Sequence, residues 1–202
     1  TGRGSLYMTG SANATINSGG MAFYIEGGAS SNIATELSSL VGSSGLGNKL
    51  NITMNSGSNL IRWNAPTGGS INLSSISSLS SSIANVTVTG SNYNTLSINK
   101  GELVIDENVA LTGTGNAYNG VEMSQSKVTL ASGYNITGAL DGQIGIAQIN
   151  PGTLSDVSIT NNGTITLSGK KSTGLALDHG YITNTGTIEV TNPGITGEGS
   201  LG

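Results

Sequence analysis

Apolar residues recur along this chain in pairs separated by one polar residue. Leu50, Ile52 and Met54 alternate with Asn51 and Thr53, and Val86 and Val88 flank Thr87. The same alternation links Leu96 with Ile98, Leu103 with Ile105, Val128 with Leu130, Ile144 with Ile146, Ile165 with Leu167, and Ile188 with Val190. Residues i and i+2 of a strand share a face, so each segment predicts a short β-strand with one apolar side. The segments are about three to five residues long and bounded by Gly, Asn and Ser, shorter than the strands of most sandwiches and barrels.

Some of these strands repeat one another. TNNGTITL at 160–167 returns as TNTGTIEV at 183–190, a step of 23 residues (160 to 183). Glycines open strands at Gly101 (GELVI), Gly133 (GYNIT), Gly163 (GTITL) and Gly186 (GTIEV), with steps of 32, 30 and 23. A second phrase, NGVEM at 119–123, resembles TGLAL at 173–177 and GGMAFYIEG at 19–27. Recurrence at such periods means a solenoid, a propeller or an array, and propeller blades need about 40–45 residues. A step of 23 suits three very short strands joined by turns. The expected fold is therefore all-β, a right-handed parallel β-helix (β-solenoid) with rungs of about 23 residues. Like side chains then stack on like: Ile165 with Ile188, Leu167 with Val190, and Asn161 with Asn184 as an amide ladder. Gly and Asn are expected at the corners because both tolerate positive φ. The longer steps read as the same rung with loops added, since loop length costs little.

Two stretches break the pattern within what otherwise reads as a single domain over 1–202. In 31–42, Ile33, Leu37, Leu40 and Val41 fall at helical spacing and predict a short amphipathic helix leaning on the solenoid. In 73–86, Ile76, Leu79 and Ile83 have similar spacing, but the intervening serines are poor helix formers, which favours an ordered loop or a single helical turn.

Composition narrows the class. Only 9% of residues are charged, against roughly 25% in average proteins, and 32 are glycine. Net charge is only −4 and β-branched residues recur in alternation, which argues against a disordered chain. No cysteine is present, so disulfides and Cys-ligated zinc are excluded. Seven Lys plus Arg argue against nucleic acid as a partner. No apolar run approaches the roughly 20 residues of a membrane-spanning helix. No signal peptide is seen, and the chain opens and stops mid-pattern, so it reads as a piece of something longer.

The GTI-plus-Asn phrases, the GGMAFYIEGG and NGVEM strands and the scarcity of Cys and charge resemble the passenger domains of autotransporters (type V secretion). NNGTITLSGKKSTGLAL followed by NTGTIEV is most similar to the very large adhesins of fusobacterial type, with the clearest likeness over 95–190. The resemblance implies a β-helical stalk or tip displayed on an outer membrane by a C-terminal barrel. It also implies a surface adhesin binding a protein or glycan receptor on host cells or other bacteria. Membrane contact is not expected of these residues themselves.

Parallel β-helices also carry glycan-active enzymes, and a third reading is a structural stalk presenting a distal tip. Enzymes of that kind need clustered carboxylates. Asp106-Glu107 is the only adjacent acidic pair, and it reads as a solvated turn after the strand ending at Ile105. His179, the only histidine, follows Asp178, and neighbours along a strand point to opposite faces. No catalytic residue, metal site or cofactor is expected. The glycines near Gly113–Asn116 lack the context of a dinucleotide site. Sequons at Asn13, Asn51, Asn72, Asn85, Asn135 and Asn162 follow from the abundance of Asn, Ser and Thr. The outward residues are more informative. Alternation places Tyr24, Glu26, Glu122 and Asp178 outward, where they would line one acidic, partly aromatic flank able to hold sugars or cationic groups. Trp63 shares parity with Ile61 and is expected mostly buried, with sugar stacking as the alternative.

Overall fold

In a computed structural model, eighteen strands run through the described residues, which are 11–26, 50–55, 58–64, 69–74, 85–88, 94–111, 121–148, 157–177 and 179–191. The first nine are β1 (Ala12–Ile16), β2 (Met21–Glu26), β3 (Leu50–Met54), β4 (Asn59–Asn64), β5 (Ser70–Asn72), β6 (Asn85–Val88), β7 (Asn94–Asn99), β8 (Glu102–Ile105) and β9 (Val109–Leu111). The rest are β10 (Val121–Ser124), β11 (Lys127–Leu130), β12 (Asn135–Gly138), β13 (Ile144–Gln148), β14 (Ser158–Asn161), β15 (Thr164–Leu167), β16 (Thr173–Leu177), β17 (Tyr181–Asn184) and β18 (Thr187–Val190). The alternating segments predicted from sequence all fall on these strands.

The fold is all-β and its sheets are parallel. The strand orders are β1-β3-β6, β10-β7-β4-β2, β17-β14-β11-β8-β5, β18-β15-β12-β9 and β13-β16. Consecutive strands never pair. From β3 the chain visits three sheets in turn before returning, so β5, β8, β11, β14 and β17, every third strand, build one sheet. Parallel neighbours need a crossover, and from β3 onward each crossover is itself two strands of other sheets. This arrangement is consistent with a β-solenoid.

Register explains the alternation. One inward column of the five-stranded sheet reads Ile71, Leu103, Val128, Ile159, Ile182. In the neighbouring sheet Val109, Ile136, Ile165 and Ile188 stack, with Leu111, Gly138, Leu167 and Val190 beside them. Ile165 is thus opposite Ile188 and Leu167 opposite Val190, as predicted. The buried members of these columns form one core with Ile52, Met54, Ile105 and Leu130, with Val109, Ile188 and Val190 packed against it and Ile182 exposed. Each fully buried Ile or Leu contributes about 1.5–3 kcal/mol of transfer free energy, which supports a chain with so few aromatics.

Gly138 breaks its aliphatic column for a packing reason. A Cβ there would run into Oε1 of Gln143. The fully buried Gln143 fills the gap, accepting from the Leu140 amide at 3.0 Å and donating Nε2–H to the Leu111 carbonyl at 3.1 Å. Gly186 lies close over the preceding turn, and a Cβ there would meet the Gly163 carbonyl oxygen.

Several expectations change. GELVI (β8) and GYNIT (β12) belong to different sheets, so the step of 32 between them is not a repeat. β12 pairs with β15 at Asn135↔Thr164, which sets Tyr134, not Gly133, against Gly163 and makes the step 29 (135 to 164). Each circuit contains several similar glycine-led strands, and the phrase alone does not tell which sheet a strand enters. VEM in β10 shares a sheet with β2, whereas TGLAL in β16 pairs with β13. The 73–86 insertion is narrower than expected: Leu73 is buried and helical with Ser74, and Asn85 already opens β6. The predicted helix at 31–42 lies outside the described residues.

The corners also differ. Among the described residues, positive φ outside glycine falls on Lys100, Gln125 and Lys171, not on asparagine. Asparagine works instead through its amide. Asn161 takes an inward position at zero exposure, donates Nδ2–H to Oδ1 of Asn184 at 2.8 Å, and accepts from the Gly163 amide at 3.2 Å. The predicted ladder is present and closes the turn from β14 to β15. Asn51 to Asn13 (2.9 Å) and Asn55 to Asn17 (2.7 Å) repeat the device on the surface.

Candidate functional site

The sheet β10-β7-β4-β2 carries three of the residues singled out above, Tyr24, Glu26 and Glu122. Register sets Tyr24 opposite Arg62, Arg62 opposite Ser97, and Ser97 opposite Glu122. One column therefore runs Tyr24, Arg62, Ser97, Glu122 across four strands. Strand spacing makes it about 14 Å from end to end. The next column of the same parity runs Glu26, Asn64, Asn99, Ser124 in register. Tyr24 is 55% exposed and Arg62 is exposed, while the neighbouring Phe23 packs against the core, as the alternation of β2 requires.

The structure brings some of the predicted residues together and not others. Tyr24 and Glu122 share a column, and Glu26 lies in the adjacent one. The side chains of Glu26 and Glu122 lie outside the described residues, as does the whole of Asp178. β16, which precedes Asp178, pairs with β13 in a separate two-stranded sheet. The sequence reading also misses Arg62. It stands next to Tyr24, so this flank is not purely acidic. The signal was in Asn59–Asn64 (NLIRWN), where Arg62 alternates with Ile61 and Trp63 just as Tyr24 alternates with Phe23 and Ile25. A phenol and a guanidinium on adjacent strands offer an apolar ring face beside planar N–H donors. Trp63 falls between Ile25 and Ile98 in register, and its side chain lies outside the described residues.

Asp106 is more than part of a solvated turn. One carboxylate oxygen accepts from the Ser74 amide at 2.9 Å, and the other accepts from the Ser74 hydroxyl at 2.7 Å and from Asn72 Nδ2 at 2.9 Å. Burial by itself would raise its pKa. The hydrogen bonds from the Ser74 amide and hydroxyl, the Asn72 amide and its own backbone outweigh that and hold it below the ordinary aspartate value of 3.8. The carboxylate thereby fastens the turn after β5 to the end of β8. Sequence spacing hides this because the partners are 32 and 34 residues away.

Lys127 and Glu102 face each other across β11 and β8 at 3.2 Å, both about half exposed, a pair worth about 0–1 kcal/mol. His179 is exposed in the bend between β16 and β17, so strand alternation does not govern its relation to Asp178. Among the described residues no group of three or more His, Asp or Glu is placed to hold a metal ion. Among them, too, no helix is long and apolar enough to cross a membrane. No protein-family model, curated protein or solved structure matches the chain.

Proposed function

We propose that this chain is a right-handed parallel β-solenoid from the passenger of a bacterial autotransporter, displayed on the cell surface as an adhesin. The observation that carries this reading is the cyclic visiting of sheets in parallel register, the order a solenoid requires, which sets residues of like parity in straight columns. The passenger-like phrases over 95–190 supply the biological context. Function of this kind needs surface rather than a reactive cleft, and its partner is a protein or glycan receptor on a host cell or another bacterium. The column of Tyr24, Arg62, Ser97 and Glu122, with Glu26 beside it, is the binding surface we assign. The reading is non-enzymatic: the carboxylate of Asp106 is engaged by three hydrogen bonds from its neighbours rather than poised beside a second acid.

A structural stalk is the second reading, favoured by the regular turn between β14 and β18, where Asn161 stacks on Asn184 and Ile165 on Ile188. Binding of the purified chain to a glycan array and to epithelial and bacterial cells separates the two. Saturable binding to a defined glycan or cell type supports the adhesin. Absence of binding on every surface, with the chain folded, supports the stalk. An experimental structure tests the handedness.

A further inference from the structure

Asn-Gly is the dipeptide in which an asparagine side chain is most open to attack by the following backbone nitrogen, because glycine has no Cβ to hinder the approach and turns freely. The chain has two, at 119–120 and 162–163. The second lies in the corner between β14 and β15, and both of its reacting groups are engaged elsewhere. Gly163 donates its N–H to Oδ1 of Asn161 at 3.2 Å. Oδ1 of Asn162 accepts from the hydroxyl of Thr185, in the next circuit, at 2.7 Å. The backbone is held on both sides as well. Asn162 donates its amide to the Leu130 carbonyl at 2.9 Å, and the Gly163 carbonyl accepts from the Thr187 amide at 2.9 Å. The corner is also enclosed. A Cβ on Gly163 would meet the carbonyl oxygens of Ala131 and Tyr134 in the circuit before. A Cβ on Gly186, in the circuit after, would meet the Asn162 carbonyl carbon and the Gly163 nitrogen.

We propose that Asn162-Gly163 is a latent site of spontaneous deamidation, kept closed in the folded chain by the Asn161 and Thr185 hydrogen bonds and reactive when this corner opens. In the open corner the Gly163 nitrogen gives its proton to hydroxide and attacks Asn162 Cγ. The N–Cγ bond forms, the Cγ–Nδ2 bond breaks, and the amide leaves as ammonia with a proton from water. A second water opens the five-membered imide at either carbonyl, giving aspartate or isoaspartate, and nothing is oxidised or reduced. The two products differ in what they do to the fold. Aspartate keeps an acceptor for the Thr185 hydroxyl. Isoaspartate adds a carbon to the backbone where the circuits before and after leave no room for one, so the corner does not re-form. A transient opening is thereby recorded as a permanent change. The inference stands on this corner alone and does not depend on the adhesin reading.

Peptide mapping by mass spectrometry during incubation at mildly alkaline pH, in buffer and in concentrated urea, tests it, with fragmentation that tells aspartate from isoaspartate. Conversion of Asn162 in urea sets the intrinsic rate, and in buffer it should be slower by about a hundredfold or more, because only the opened corner reacts. Thr185→Val removes an exposed hydroxyl and should speed conversion in the folded chain by about tenfold. Asn161→Leu frees the Gly163 amide and should speed it further. Ile52→Val weakens the core in a sheet that includes neither β14 nor β15 and should leave the rate as in the parent. Melting curves report whether each variant folds, and Thr185→Val carries the test if Asn161→Leu does not. Conversion in buffer as fast as in urea overturns the proposal. So does a folded Thr185→Val with the parent's rate, an Ile52→Val rate raised as much as that of Thr185→Val, or isoaspartate chains that melt as the parent does.

Discussion

Near its C-terminal end the chain returns to the same register position after 23 residues (161 to 184, 165 to 188), whereas near its N-terminal end it takes 38 (12 to 50, 21 to 59). The strands are nevertheless of similar length, pair in parallel and alternate in the same way in both regions. Register is set by the strands and their ladders, and the added chain is taken up between them. Loop closure grows slowly with length, by about 0.6 kcal/mol per doubling, so the added chain costs little beside the ladders it leaves in place. The two regions differ in how their ladders are placed. Asn161–Asn184 begins from a fully buried amide, while Asn13–Asn51 lies on the surface. The ladder of the short-step region therefore starts inside the core, and that of the long-step region lies on the solvent side.

The largest effect should come from charging the short-step core. Ile165 has zero exposure between Ile136 and Ile188. Ile165→Asp should lower stability by about 3–5 kcal/mol, or prevent folding, because the carboxylate has no partner. Thr166→Lys, one residue along and in register with Glu189, should change it by less than about 1 kcal/mol. Urea unfolding of both variants checks this. Equal losses would mean that the register of β15 is wrong.

The two ladders should separate next. Asn161→Leu leaves the Gly163 amide and the Asn184 carbonyl oxygen without their partner, and about 2 kcal/mol should be lost. Asn13→Ser removes an exposed bond and should cost less than about 0.5 kcal/mol. Denaturant midpoints compared with the parent decide between them. Similar losses would show that surface ladders matter as much as buried ones and would erase the contrast between the regions.

Strand positions and inward residues are legible in the sequence because alternation with period 2 is a local property. Leu50–Met54 is read with its bounds, and the pairing of 160–167 with 183–190 is read in register because nothing is inserted between their steps. Where steps lengthen, local similarity fails. GELVI looks like GYNIT yet enters another sheet, since nothing within five residues records which corner the chain has turned. The candidate surface is half legible for a related reason. Parity marks Tyr24, Glu26 and Glu122 as outward, but only pairing places Arg62 next to Tyr24 and Ser97 next to Glu122. The Asp106 clamp is invisible because its partners come from the preceding circuit.

That clamp should give a smaller, pH-dependent effect. Asp106 keeps its charge to lower pH in the folded chain than in the unfolded one, because its pKa is lowered on folding. Its contribution is complete above the unfolded value near 3.8 and is lost as pH falls through the folded value below it. Asp106→Ala should cost about 1 kcal/mol at pH 7 and flatten the decline in stability below about pH 4. Unfolding curves from pH 7 down to pH 3 check both parts. A variant with the parent's full acid slope would assign that slope to other carboxylates.

The smallest effect on stability, and the most informative for function, should come from the outward column of the long-step region. Tyr24 is exposed, and Thr suits a strand, so Tyr24→Thr with Glu26→Thr should shift stability by less than about 0.5 kcal/mol. Arg62→Thr should behave in the same way, since it too is exposed. If the column is the binding surface, each of these changes should weaken attachment to the responsive cell or glycan by about 1–3 kcal/mol, because exposed aromatic and Arg anchors carry most of such energies. Combining Tyr24→Thr with Arg62→Thr should give less than the sum of the two, because paired neighbours share one contact. Thr164→Ser, on an outward position of the short-step region, should leave attachment unchanged. Binding isotherms on cells, with melting curves for every variant, distinguish the outcomes. Attachment that survives loss of Tyr24 and Arg62 but fails with Thr164→Ser would move the binding surface to the regular end of the molecule and reverse the division of labour drawn between the two regions.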